Sequence, residues 1–165
     1  MKPGLEPAPG PTPIGPEHAN VRVHPPLLLL ILLGAALPLH RLAPLVAPDG
    51  WPRWLGVCVV LVGMLPALLA VRRLARAGTT LNPRGVVRAL VTDGPYRRSR
   101  NPIYLGYVFT GVGLPLALGS LWGLLLAPAL ALALQSLVVE PEEAYLQQRF
   151  PDDYPIYRSS ARRWL

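Results

Sequence analysis

"RNPIYLGYVFTGVGLPLALGSLWGLLLAPALALALQSLVVE", residues 100–140, begins on Arg100 and ends on Glu140, with no Lys, Arg, Asp or Glu between them. A bilayer core takes roughly 20 apolar residues per helix. This gap therefore has room for two helices and a tight turn. Soluble helices keep a polar stripe with a 3.6-residue period, whereas the segment 121–139 is apolar all round. Two further uncharged gaps, from Arg22 to Arg41 and from Arg53 to Arg72, each fit one helix. The expectation is an all-α integral membrane protein with about four transmembrane helices, near 25–40, 53–71, 102–117 and 120–139. The last two form a C-terminal hairpin.

The rest of the chain is divided by composition. The chain has 165 residues, of which 52% are hydrophobic, and a net charge of +7. Residues 1–24 are Pro- and Gly-rich ("KPGLEPAPGPTPIGP") and bury too little to fold, so they are expected to be a disordered leader. The apolar run after it has about the length of a signal peptide. No cleavage site appears in "GAALPLHRLA", and the run is read as a retained helix. Residues 25–75 form the two N-terminal helices, and 76–165 the functional core. Turn signals at Gly78, Asn82-Pro83 and Gly94-Pro95 punctuate the loop 72–100, which is long for a mere connector. The tail starts with a candidate amphipathic helix and ends with Tyr154, Tyr157 and Trp164 among charges, aromatics that suit a membrane interface.

Charge placement gives an orientation. Arg72, Arg73, Arg76, Arg84, Arg88, Arg97, Arg98 and Arg100 lie between the second and third helices, and Arg149, Arg158, Arg162 and Arg163 in the tail. Excess Lys and Arg mark cytoplasmic loops. The central loop, the tail and the N-terminus are thus expected on the cytosolic side. These arginines hug membrane segments and suit anionic headgroups. No recognition-helix or RNP-type pattern appears, so nucleic acid is not an expected partner. One cysteine (Cys58) and histidines without ligand spacing (His18, His24, His40) predict no metal and no internal disulfide.

Two polar clusters border the apolar hairpin. In "DGPYRRSRNPIYLG" (93–106), Asn101 is a favoured N-cap and Pro102 a favoured first helical residue. The first N–H groups of that helix, from Ile103 to Leu105, lack intrahelical partners and carry the positive end of its dipole. An anion binds readily there, and Gly106 leaves the next turn open to close approach. Glu140, Glu142 and Glu143 follow the fourth helix and fall at the same depth as residues 96–104. Taken alone, the first cluster reads as a helix cap with headgroup anchors. The second reads as the acidic first turn of a fresh helix starting at Pro141. Together they offer anion-binding backbone opposite carboxylates, which suits a mixed-charge ligand such as S-adenosylmethionine.

"LVTDGPYRRSRNPIYLG", the hairpin, and then "EEAYLQQRFPDDYPIYRSSARRW" resemble the isoprenylcysteine carboxyl methyltransferase family and the related membrane phospholipid methyltransferases. "AGTTLNP" (77–83) is similar to bacterial members. The resemblance covers about residues 76–164. It implies a membrane methyltransferase with a cytosolic cofactor pocket, S-adenosylmethionine as cofactor and a hydrophobic or lipid-like acceptor, in a bacterial inner membrane. Carboxylate O-methylation is the reaction most similar to the family's. Carried over residue by residue, the cofactor site falls on Arg88, Ala89, Leu90, Val91, Tyr96, Asn101, Pro102, Ile103, Tyr104 and Glu142. Gly106 and Glu143 join them from the residue reading above, and Arg100 is the candidate electrostatic guide for an anionic substrate group. Asn101 stands where eukaryotic members have His, so this position cannot shuttle a proton. Pro151 replaces the family's Gly after Phe150, and Val138 stands where eukaryotic enzymes have an Arg linked to the prenylcysteine. Membrane sterol reductases share a similar hairpin, which leaves an NADPH-dependent reductase as the alternative, beside a non-catalytic membrane protein.

Overall fold

The computed structural model of the chain describes residues 18–80, 85 and 87–165. Most of the Pro-rich leader, together with Asn82-Pro83 and Arg84, lies outside the described residues. The elements are α1 (Pro25–Leu42), α2 (Trp51–Arg76), a 3₁₀ turn (Gly94–Arg97), α3 (Pro102–Ala117), α4 (Trp122–Leu134), a π-helical turn (Gln135–Val139), α5 (Glu140–Arg149) and α6 (Asp153–Ser160). The described residues contain isolated β-bridges but no β-strand.

Three helices are long and apolar enough to cross a membrane: α1, α2 and the continuous run Trp122–Arg149. The fourth expected span, α3, has the anticipated bounds but only 16 residues. At 1.5 Å per residue it is about 24 Å long, short of a roughly 30 Å hydrocarbon core. Large apolar side chains such as Leu30, Ile31, Leu61, Leu65 and Leu132 stand exposed around the long helices. That is the surface a bilayer covers, and the chain is an integral membrane protein. The helices alternate in direction. The α1–α2 loop pairs with the α3–α4 turn at one end, through Leu121 N donating to Leu45 O (2.9 Å) and Ala47 N to Gly119 O (2.8 Å). At the other end, residues 87–101 and the tail meet.

Glycines set the central contact. Gly56 and Gly63 of α2 face Gly113 and Gly106 of α3. A Cβ on Gly113 would come within 2.6 Å of the Gly56 carbonyl oxygen, and one on Gly106 within 2.7 Å of the Ala67 Cβ. Without a hydrophobic drive in lipid, such small residues let backbones approach and gain dispersion contact.

The helix expected to restart at Pro141 does not restart. Val139 and Glu140 keep helical dihedrals, and Glu140 N donates to Gln135 O, five residues back. Proline lacks the N–H for an ordinary turn and its ring crowds the carbonyl four residues earlier, so the helix widens ahead of it. The tail also departs from expectation. Tyr154 and Tyr157 are not interface anchors: both are buried, packed with Ala70, Tyr96 and Ala161. Residues 18–24, grouped with the leader from composition, place Ala19 and Val21 in the core beside Leu32, Leu130 and Leu134.

Candidate functional site

The charged end of the bundle encloses a cavity, and four segments build most of its wall. The first turn of α3 gives Pro102, Ile103 and Tyr104. The loop gives Thr79, Ala89, Leu90 and Val91. Glu142, Tyr145 and Leu146 come from α5, and Tyr154 and Tyr157 from α6. The loop is pinned locally. Arg88 N donates to Thr79 Oγ1 (3.1 Å), Val87 N donates to the Tyr145 hydroxyl (3.2 Å) and Arg149 Nε donates to Val87 O (3.4 Å).

Two neighbouring carboxylates have opposite surroundings. Glu143 accepts from Arg100 Nη2 and from Arg163 Nη2, each at 2.8 Å, with the Glu143 and Arg100 side chains only 11% and 9% exposed. Glu142 meets no Arg or Lys among the described residues. Its Oε1 accepts from the Tyr104 hydroxyl at 2.7 Å, and no described group donates to its Oε2. Neighbouring residues of a helix point about 100° apart, and the extra residue of the π turn rotates everything after it by about the same angle. That phase directs Glu142 to the cavity and Glu143 to the arginines of the loop and tail.

Arg100 is heavily committed. Besides Glu143, its Nη1 donates to the carbonyls of Arg158 (3.1 Å) and Ala161 (2.8 Å), and its backbone N to Arg162 O (2.8 Å). Its side chain still borders the cavity. Asn101 opens α3 as expected, but its side chain does not cap the helix. Its Nδ2 donates to Arg163 O (3.0 Å), which fastens the tail over the helix start. Tyr157 adds a further tie by donating to Tyr96 O (2.9 Å).

Ala89, Leu90, Val91, Tyr96, Asn101, Pro102, Ile103, Tyr104, Glu142 and Glu143 all border the cavity, so the structure brings together most of the residues singled out from sequence. Two of them lie elsewhere. Arg88 is exposed and enters only through its backbone N. Gly106 faces Ala67 and Gly63 across the α2 interface, so its missing side chain serves helix packing and not access to the cavity.

Thr79, Tyr145, Tyr154 and Tyr157 also border the cavity and were not singled out as site residues. The signal for the last two, a Tyr pair three residues apart in "DDYPIY", is present in the sequence but reads there as aromatics at a membrane interface. The Tyr154 hydroxyl is buried without a hydrogen-bond partner. Burial, with Glu143 adding, pushes its pKa up to about 12, so it is a neutral donor at ordinary pH. Among the described residues no group of His, Cys, Asp and Glu is arranged to hold a metal.

A sequence model of the family described as Phospholipid methyltransferase matches residues 51–153. The chain is also similar to a Protein-S-isoprenylcysteine O-methyltransferase of Schizosaccharomyces pombe, at 38% identity over 69 residues. That segment is 42% of this chain and 29% of the relative's length, so the likeness spans well under half of the fission-yeast protein. No solved structure matches the chain.

Proposed function

We propose that this chain, which belongs to the phospholipid methyltransferase family, binds S-adenosylmethionine in the cavity beneath α3 and passes its methyl group to a hydrophobic or lipid-like acceptor. One observation carries the reading: Glu142 lines the cavity half-buried and without a cation among the described residues, one oxygen held by Tyr104 and the other open to a ligand. A carboxylate partly withdrawn from water is costly unless a positive group meets it. S-adenosylmethionine carries an ammonium and a sulfonium on an otherwise compact body, and the residues present suit it.

When bound, this cofactor supplies an electrophilic methyl group on a cationic sulfur. The chain's own part is to bind, align and exclude water. Glu142 holds the cationic portion, and Tyr104 fixes the orientation of that carboxylate. The N–H groups of the first turn of α3, left uncapped by Asn101, suit the amino-acid carboxylate. Leu90, Val91 and Ile103 offer an apolar wall for an adenine ring and keep water out. Alignment in a dry site is most of what a methyl displacement needs. A carboxylate acceptor needs no base. For an amine acceptor, Glu142 is the carboxylate at hand to take the proton, since Glu143 is engaged by two arginines.

The arginine-rich end is assigned to the cytosol by the excess-positive rule, in a bacterial inner membrane. Soluble cofactor then enters from water, and the acceptor from the bilayer. Arg100 serves in this reading first as the clamp that holds the tail over the cavity. Its border position lets it also guide an anionic acceptor.

The test is equilibrium binding of labelled S-adenosylmethionine to the full chain in detergent and in lipid nanodiscs, with NADPH measured beside it. Saturable binding of the first and none of the second is expected. NADPH binding alone would transfer the cavity to a reductase. Binding of neither would remove the enzyme reading.

A further inference from the structure

Across the first turn of α3 from the cavity lies a second concavity, an open groove between α2, α3 and the last residues of the chain. Its two ends differ in kind. The deep end is apolar: Val62, Pro66 and Leu69 of α2 face Leu105 and Phe109 of α3. The shallow end is basic. Arg73 there is paired with Asp93 (2.6 Å), but Arg97 and Arg98 are exposed and meet no acid among the described residues. Arg162 completes this end.

The groove is oriented like a lipid. Its basic end lies where the apolar stretch of α2 gives way to Arg72 and Arg73. From Leu69 back to Val62 the helix descends about 10 Å at 1.5 Å per residue, into the depth occupied by acyl chains. Unpaired arginines at headgroup depth select negative charge, and the floor below them selects hydrocarbon.

We propose that this groove binds one anionic phospholipid of the surrounding leaflet. Its phosphate lies among Arg97, Arg98 and Arg162, and an acyl chain lies along α2 and α3. The site is distinct from the methyl-transfer cavity. Of the residues bordering each, only Pro102 is common to both. The pairing of Ser99 and Arg100 with Arg162 belongs to the partition between them. A lipid held on Arg162 braces the tail segment whose carbonyls hold Arg100, and so the cavity wall.

The test uses the delipidated full chain in a zwitterionic detergent. It is titrated with phosphatidylglycerol, phosphatidylcholine or glycerol phosphate, and bound ligand is counted by native mass spectrometry while thermal stability is recorded. One phosphatidylglycerol per chain is expected, with phosphatidylcholine at least about tenfold weaker. The double variant Arg97→Gln/Arg98→Gln is expected to lose about thirtyfold in affinity, which corresponds to about 1 kcal/mol per basic side chain. Both side chains are exposed and unpaired, so the variant folds. Arg41→Gln, at the opposite end of the bundle, is expected to change nothing. Equal binding of phosphatidylcholine, retention of the lipid by the double variant, or glycerol phosphate competing as well as the whole lipid would each overturn the proposal. Cofactor binding is measured separately, and its result does not bear on this one.

Discussion

Replacing Glu142 by Gln separates a ligand-binding carboxylate from a structural one. The change keeps the side chain's size and an oxygen for the Tyr104 hydroxyl, which now reaches Glu142 Oε1 at 2.7 Å. What is lost is one negative charge facing the cavity. Opposite charges about 4 Å apart interact by about 4 kcal/mol at an effective dielectric near 20. An amide oxygen recovers part of this as an ordinary hydrogen bond, so roughly half of it, about 2 kcal/mol, is the net loss expected. That is about thirtyfold in the Kd for S-adenosylmethionine, well within reach of a labelled-ligand titration. Stability is expected to move the other way. No Arg or Lys compensates Glu142 among the described residues, so a neutral amide is easier to bury. The ligand-free variant is expected to unfold at the same temperature as the parent or above it. A variant that binds cofactor within twofold of the parent would refute the argument. So would one that unfolds well below it, since Glu142 would then be holding the fold and not the ligand.

Three other substitutions probe neighbouring parts of the site. Glu143→Ala strands Arg100, whose side chain is 9% exposed, and a stability loss of about 3 kcal/mol is expected in denaturant or thermal unfolding, with the tail released first in hydrogen exchange. Gly106→Ala places a Cβ within 2.7 Å of the Ala67 Cβ and should cost about 1–3 kcal/mol by forcing α2 and α3 apart. Cofactor affinity of the folded fraction should stay within twofold, because Gly106 lies off the cavity. Tyr154→Phe removes a buried hydroxyl without a partner. The ligand-free protein is expected to gain about 1 kcal/mol in thermal unfolding. Cofactor affinity should fall if that hydroxyl donates into the cavity, and the opposed signs distinguish this from simple repacking.

What the sequence discloses here depends on how local the cause is. Charge segregation is local, and α1 and the start of α3 fall close to where the uncharged runs between arginines put them, while α2 continues several residues past Arg72. The juxtaposition of 96–104 with 140–143 follows from two antiparallel helices and a tight turn. The fates of Glu142 and Glu143 do not follow, because they depend on helical phase. An unbroken α-helix and one carrying a π turn place the same two side chains about 100° apart around the axis, and nothing in the apolar pattern of 121–139 marks the difference. Pro141 does mark it. A proline inside a helix either breaks it or forces the turn before it to widen; "QSLVVEP" by itself reads as a break, and the structure shows the widened turn. Gly106 and Asn101 depart from expectation for a related reason. Each has a familiar local use, a gap for a ligand or a helix cap, and each is instead used by a distant segment, α2 in one case and Arg163 in the other. In a membrane bundle, a residue able to serve its own helix is drawn to neighbouring backbone whenever that backbone would otherwise lack a partner. Polar groups near the hydrocarbon have few alternatives. The assignment of such residues therefore has to start from which carbonyls and N–H groups the fold leaves open. Here they include the carbonyls of Arg158, Ala161, Arg162 and Arg163, each of which accepts from Arg100 or Asn101.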